Sequence, residues 1–154
     1  MTIVSHVRTS AGSTLAISAS TQPATYDVSG FSSLTYVTIG ELSDMSAFGK
    51  KYNLVTFMPL GSRAIVKCRG AHNNGTMALK GGYYGLDAGQ VAIQSALTSD
   101  TSSSFRVVTQ SGSTYYFTAQ TMSFVLEVGT VDQITGFTCD LELDNDIIPT
   151  NITA

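Results

Sequence analysis

The side chains best suited to chemistry in this chain are two histidines, two cysteines and a short acidic run near the C-terminal end. An imidazole nitrogen of His6 or His72 could ligate a divalent metal. Neither histidine has a cysteine or carboxylate at ligand spacing, so no metal site is expected. Asp144, Asn145 and Asp146 bring the oxygen donors of a calcium loop without its central glycine or its distal glutamate, and read as a solvated strand end. The serines are many, but none sits in a Gly-x-Ser-x-Gly elbow, and no Ser-His-acid set can be assembled from spacing. The stretch Gly81-Gly82-Tyr83-Tyr84-Gly85 precedes a helical pattern as a phosphate-binding loop would. It lacks the Lys-Ser/Thr ending and the GxGxxG spacing, so a turn needing free φ accounts for it. Cys68 and Cys139 fall at apolar positions of alternating patterns, where a thiol is a small hydrophobe. With two cysteines and no secretion signal, no disulfide framework is expected. The residue inventory thus predicts no enzyme and no cofactor.

The elements that would carry these groups are mostly strands. Leu86 to Leu97 is the exception: Leu86, Gly89, Ile93, Ala96 and Leu97 make an apolar stripe near a 3.6 period, with Asp87, Gln90 and Gln94 on polar sides. Asp87 and Gln90 have the spacing of a capping box, which predicts a helix over residues 88–98. Ten residues are marginal as an isolated helix, so the stripe must pack on a sheet. Strands are predicted at Tyr36–Leu42, Leu54–Met58, Ala64–Gly70, Thr76–Lys80, Phe105–Gln110 and Thr114–Met122. The Thr114 strand runs on past a bend at Thr121 to Ser123, through Phe124, Leu126 and Val128. Asn73-Asn74-Gly75 predicts a hairpin joining the Ala64 and Thr76 strands. The clearest strand is the last. Phe137, Cys139, Leu141 and Leu143 face one way, Gly136, Thr138, Asp140 and Glu142 the other, and Pro149 ends it. The fold class is therefore mainly β, an antiparallel β-sandwich or open barrel of about seven strands with one flanking α-helix.

The chain has 154 residues, enough for one domain (1–154) with a single core. Ser and Thr supply about a quarter of it and charged residues only 12%, which suits many short strands and turns. The formal net charge of −3 gives no global basic field for nucleic acid or an anionic membrane, and no apolar run approaches membrane-spanning length. The expectation is a soluble intracellular product. Residues 1–34, rich in Ser, Thr, Ala and Gly, read as an arm with at most one or two strands. Such an arm is either disordered or laid against a neighbouring chain. Charge is unevenly spread: Lys50, Lys51, Arg63, Lys67, Arg69 and Lys80 fall in a stretch without acids, and Glu127, Asp132, Asp140, Glu142, Asp144 and Asp146 in one without bases. Two readings stay open. The charges mix on one molecule, or the patches meet across copies and promote ring-forming association.

Four stretches, taken in order, resemble the tail tube proteins (major tail proteins) of long-tailed bacteriophages of the siphophage type. They are ATYDVSGFSSLTYVTIGEL, YNLVTFMPLGSRAIVKCRGAHNNGTMAL, LDAGQVAIQSAL and YYFTAQTMSFVLEVGTVDQITGFTCDLELDNDII, and they cover most of residues 24–148. The resemblance rests on ordered strand and turn patterns, without a catalytic motif. It implies a β-sandwich with a flanking helix whose copies form hexameric rings stacked into a virion tube, assembled in the host bacterial cytoplasm. Implied partners are further copies, a tape-measure protein, tail terminator and baseplate or distal tail proteins, and double-stranded DNA in transit, with no membrane. It also implies that an inter-subunit loop spans residues 43–52, that is Ser43, Asp44, Met45, Ser46, Ala47, Phe48, Gly49, Lys50, Lys51 and Tyr52. The arm and the C-terminal tail would make contacts between rings. The loop is polar enough to be mobile in a free subunit, with Phe48 and Tyr52 available to bury against a neighbour. A DNA conduit must not hold phosphates, since each neutralising Lys or Arg adds affinity by counterion release. Asp140 and Glu142, with Glu127, are therefore the expected lumen-facing residues, and Lys67 and Arg69 compete for that place. The contrasting reading is a monomeric β-sandwich binding or adhesin module.

Overall fold

The structure, a computed structural model, describes residues 7–150. In chain order its elements are β1 (Thr14–Ser18), α1 (Val28–Ser32), β2 (Val37–Thr38), β3 (Leu42–Met45), β4 (Lys51–Phe57), β5 (Val66–Asn73), β6 (Thr76–Gly82), α2 (Ala88–Leu97), β7 (Ser103–Val108), β8 (Thr114–Glu127), β9 (Gly136–Leu143) and β10 (Ile148–Thr150). Eight strands form one sheet in the order β2-β1-β7-β8-β9-β6-β3, with β10 also on β8, while β4 and β5 make a separate two-stranded sheet. Every pairing is antiparallel. Only Ile39, Gly40 and Glu41 separate the two edge strands β2 and β3, so the large sheet must roll until its edges come side by side. The result is the expected mainly β open barrel. Its strands number ten among the described residues because the arm supplies β1, the C-terminal end supplies β10, and one predicted strand is split into β2 and β3.

Alternation explains the core. On β9, Phe137, Cys139, Leu141 and Leu143 are buried and their neighbours are not. They meet Met77 and Leu79 of β6, Phe105 of β7, Phe117 of β8, and Leu15 and Ile17 of β1. Phe105 stacks on Phe117 at 5.5 Å and Phe124 on Phe137 at 5.0 Å. The long β8 bends where expected, through a register shift between Thr121 and Ser123. Helix α2 seals the core with Ile93 and Ala96 and packs on β8, β1 and β2. It approaches so closely that a Cβ on Gly89 would lie 2.4 Å from the Thr38 carbonyl oxygen.

Several expectations are corrected. The Ala64 strand does not pair with the Thr76 strand: β5 pairs with β4, and β6 pairs with β9 and β3, so Asn73 to Gly75 join two sheets. Tyr36–Leu42 is broken by Gly40 and by Glu41, whose φ is +59°, into β2 and β3. Leu86 is 82% exposed and lies outside the helix stripe, whereas Gln90 is fully buried. The capping box is half made: the Asp87 carboxylate accepts from Gln90 N at 2.9 Å, but the Gln90 amide turns inward. Pro149 sits within β10 opposite Tyr115 instead of ending β9. Cys68 is exposed, while burial pushes the Cys139 thiol up to about 12.

The arm is corrected in part. Leu15 and Ile17 are core residues, and Phe31 of α1 is buried with its ring stacked on Tyr116 at 5.5 Å. Asp27 caps α1 by accepting from Gly30 N at 2.7 Å. The sequence shows the short alternation around Leu15 to Ile17, but Ser and Thr surround it, so it reads as an arm and not as core. The outermost arm, residues 1–6 with His6, and the tail, residues 151–154, lie outside the described residues.

Candidate assembly surfaces

The ten loop residues divide among three tasks. Ser43, Asp44 and Met45 belong to β3, and Ser46 extends it: Ser46 N donates to the Ala78 carbonyl at 2.9 Å, and Ala78 N donates to Ser46 Oγ at 2.7 Å. Ala47, Phe48 and Gly49 cross the barrel mouth, where the Phe48 ring lies 5.9 Å from both Tyr115 and Phe117. Phe48 is thus spent inside its own subunit, against the expectation that it waits for a neighbour. Lys50, Lys51 and Tyr52 form the root of the β4–β5 hairpin. Lys50 Nζ lies 2.9 Å from Asp146 Oδ2, and His72 Nε2 lies 3.2 Å from Asp146 Oδ1. Asn74 Nδ2 donates to the same carboxylate at 3.3 Å. The hydrogen bond from Lys50 holds the Asp146 carboxyl below the usual range, and the same bond raises Lys50.

Beyond this root the hairpin leaves the body. All seven residues of β4 and seven of the eight in β5 are exposed. Opposed pairs share a face, so Val55, Phe57, Val66 and Cys68 form an apolar side, and Leu54, Thr56, Lys67 and Arg69 form a mixed one with two bases. The Arg69 guanidinium sits over the Tyr52 ring at 4.6 Å. Met58, Leu60 and Ile65 expose further apolar surface towards the tip. A two-stranded ribbon is barely stable in water, and one with an uncovered apolar side invites a partner. The apolar alternation of this segment is visible in the sequence, but it reads there as core, because nothing in it says that β5 leaves the main sheet.

A second surface is the outer face of β3, β6, β9 and the distal half of β8. Register places Asp44 opposite Lys80, Ala78 opposite Asp140, Thr76 opposite Glu142, and Glu127 opposite Gly136. Hydroxyls orient these acids: Ser123 donates to Asp140 at 3.2 Å, Thr138 to Glu127 at 3.2 Å, and Thr76 to Glu142. Asp140, Glu142 and Glu127 are therefore gathered on one sheet face, with Lys80 the one base in those pairs. Lys67 and Arg69 are on the hairpin and not on this face. Asp144 belongs elsewhere, accepting from the Ser102 and Thr118 hydroxyls. Among the described residues no group of three or more His, Cys, Asp or Glu side chains could hold a metal ion, and no helix is long and apolar enough to cross a membrane.

No protein-family model and no curated protein matches this sequence. Solved structures do match its fold. One, from the tail of an empty gene transfer agent particle with C6 symmetry, superposes with a TM-score of 0.68 at 13% identity over 94% of this chain and 100% of its own. Another, from the six-fold symmetrised baseplate of the anti-feeding prophage, gives 0.67 at 11% identity over 98% and 100%. A third, from the sheath/tube terminator of an extracellular contractile injection system in its extended state, gives 0.66 at 9% identity over 97% and 100%. The chain has the fold of tail-particle components. At such low identities the likeness concerns the fold, and it covers both chains almost end to end.

Proposed function

We propose that this protein is a structural subunit of a phage-tail-like particle, forming six-membered rings that stack into the tail tube and guide DNA through it, around a tape-measure protein during assembly. The observation that carries this reading is the near-complete superposition on components of two six-fold tail particles. It is supported by the two surfaces above: an exposed hairpin that needs covering, and an acidic sheet face free of the hairpin's bases. In the tube, Asp140, Glu142 and Glu127 face the lumen, where fixed negative charge keeps phosphates from adsorbing and leaves DNA lubricated by water and cations. Contacts between subunits start at Lys51 and Tyr52, the exposed end of the 43–52 segment, and run outward along β4 and β5. Tail terminator and baseplate or distal tail proteins cap the stack, and the virion is the place of action.

Light scattering and negative-stain microscopy of the purified chain at rising concentration test this. Rings or tubes of uniform diameter are expected. A persistent monomer that binds glycans would overturn it in favour of a β-sandwich binding module.

A further inference from the structure

We infer that the β4–β5 hairpin of one copy docks on the β8–β9 turn of another, apolar side to apolar side with opposite charges at the rim; this deepens the tube reading and rests on it. The hairpin carries Lys51, Arg63, Lys67 and Arg69, four of the chain's eight basic residues, and none of its eleven acids. Its apolar groups Val55, Phe57, Met58 and Val66 are exposed. The β8–β9 turn presents the complement. Val128, Val131 and Ile134 are exposed, Val131 almost completely at 98%, beside Leu126 at the end of β8. Asp132 accompanies them, and no base occurs between Val107 and the C-terminal end. Both patches are apolar, and their charges are opposite.

The two patches cannot satisfy each other within one chain as it is folded, since both remain exposed. Topology gives the reason. The β6–β9 ladder runs from Thr76 opposite Glu142 to Gly82 opposite Gly136. The hairpin root adjoins the Thr76 end through Asn73 to Gly75, and the β8–β9 turn adjoins the Gly136 end. Six residue steps separate them, about 20 Å at the usual rise. A donor patch at one end and an acceptor patch at the other make a heterologous contact, which passes from copy to copy until a ring closes or a stack ends.

The test mixes wild-type chain, which has the exposed Cys68 on the apolar side of the hairpin, with a tagged Val131→Cys, Cys68→Ser variant, under assembly conditions with a short bis-maleimide. Cys139 is buried and stays silent. A cross-link between tagged and untagged chains is expected, and assembled particles without it would overturn the pairing while leaving the tube reading intact. Wild-type chain that never assembles would overturn both. As an independent arm, Lys51→Glu with Arg63→Glu, the two hairpin bases off the Lys67–Arg69 side, and separately Asp132→Lys, should each raise the concentration for half-assembly at least about tenfold. Combining them should recover most of the loss. Losses that simply add would count against the pairing.

Discussion

Gln90 joins three parts of the molecule. Its Oε1 accepts from Tyr84 N at 3.0 Å, and its Nε2 donates to the Gly82 carbonyl at 3.0 Å and the Gly40 carbonyl at 3.2 Å. Helix α2 is thereby tied to the end of β6 and to the corner between β2 and β3. Gln90→Leu would keep the volume but leave three polar backbone groups without a partner, and is expected to cost about 2–4 kcal/mol. A lower urea midpoint at unchanged m-value would register this, and an unchanged midpoint would show that water replaces the amide. Helical spacing placed this residue on a polar side, because periodicity reports which way a side chain points and not whether backbone groups await it there. Asp146 makes the opposite case. Its carboxyl is lowered from the ordinary 3.8 chiefly by the Lys50 bond. Its contribution is present above that ordinary value and is lost as pH falls through the lower folded-state value. Hairpin-root amides around Lys50 and His72 should therefore show less protection, relative to their intrinsic exchange rates at the same pH, in strong acid than at pH 6. Asp146→Asn should bring that lowered protection to neutral pH, while the β9 amides stay protected.

Elements were legible where one face is buried and the strand is long. β9 and the bend in β8 follow directly from alternation, since a one-residue slip would turn Phe137, Cys139 and Leu141 outward. Pairing was not legible for β5, because the turn at Asn73 to Gly75 has the right chemistry for a hairpin whichever sheet the next strand joins. The segment 43–52 reads as a loop in the sequence for a related reason: its polar residues are those of an edge strand, with one aromatic plug. Deleting residues 45–50 would remove Met45 and Phe48 from the core margin along with the β3–β6 bonds of Ser46. It is expected to destabilise the fold by at least about 3 kcal/mol. Replacing residues 53–71 with a short turn should instead leave the thermal midpoint of the subunit nearly unchanged and abolish assembly. Thermal unfolding followed by circular dichroism, alongside light scattering, separates the two segments. A hairpin deletion that still assembles would remove β4 and β5 from the interface.

At the scale of the whole molecule, charge is sorted by surface, with bases on the hairpin and acids on the rolled sheet's outer face. Asp140→Lys with Glu142→Lys, incorporated into particles, should leave tail length normal and slow DNA ejection, most strongly at low salt, where phosphate binding is tightest. Failure to assemble would place these acids at a subunit contact. A reconstruction of the assembled particle reads directly whether this sheet face encloses a channel once copies associate. Six copies per ring are expected, with the faces bearing Asp140, Glu142 and Glu127 turned to a continuous axial channel and each hairpin seated on another copy. Assemblies with that face on the outside, or without an axial channel, would contradict it.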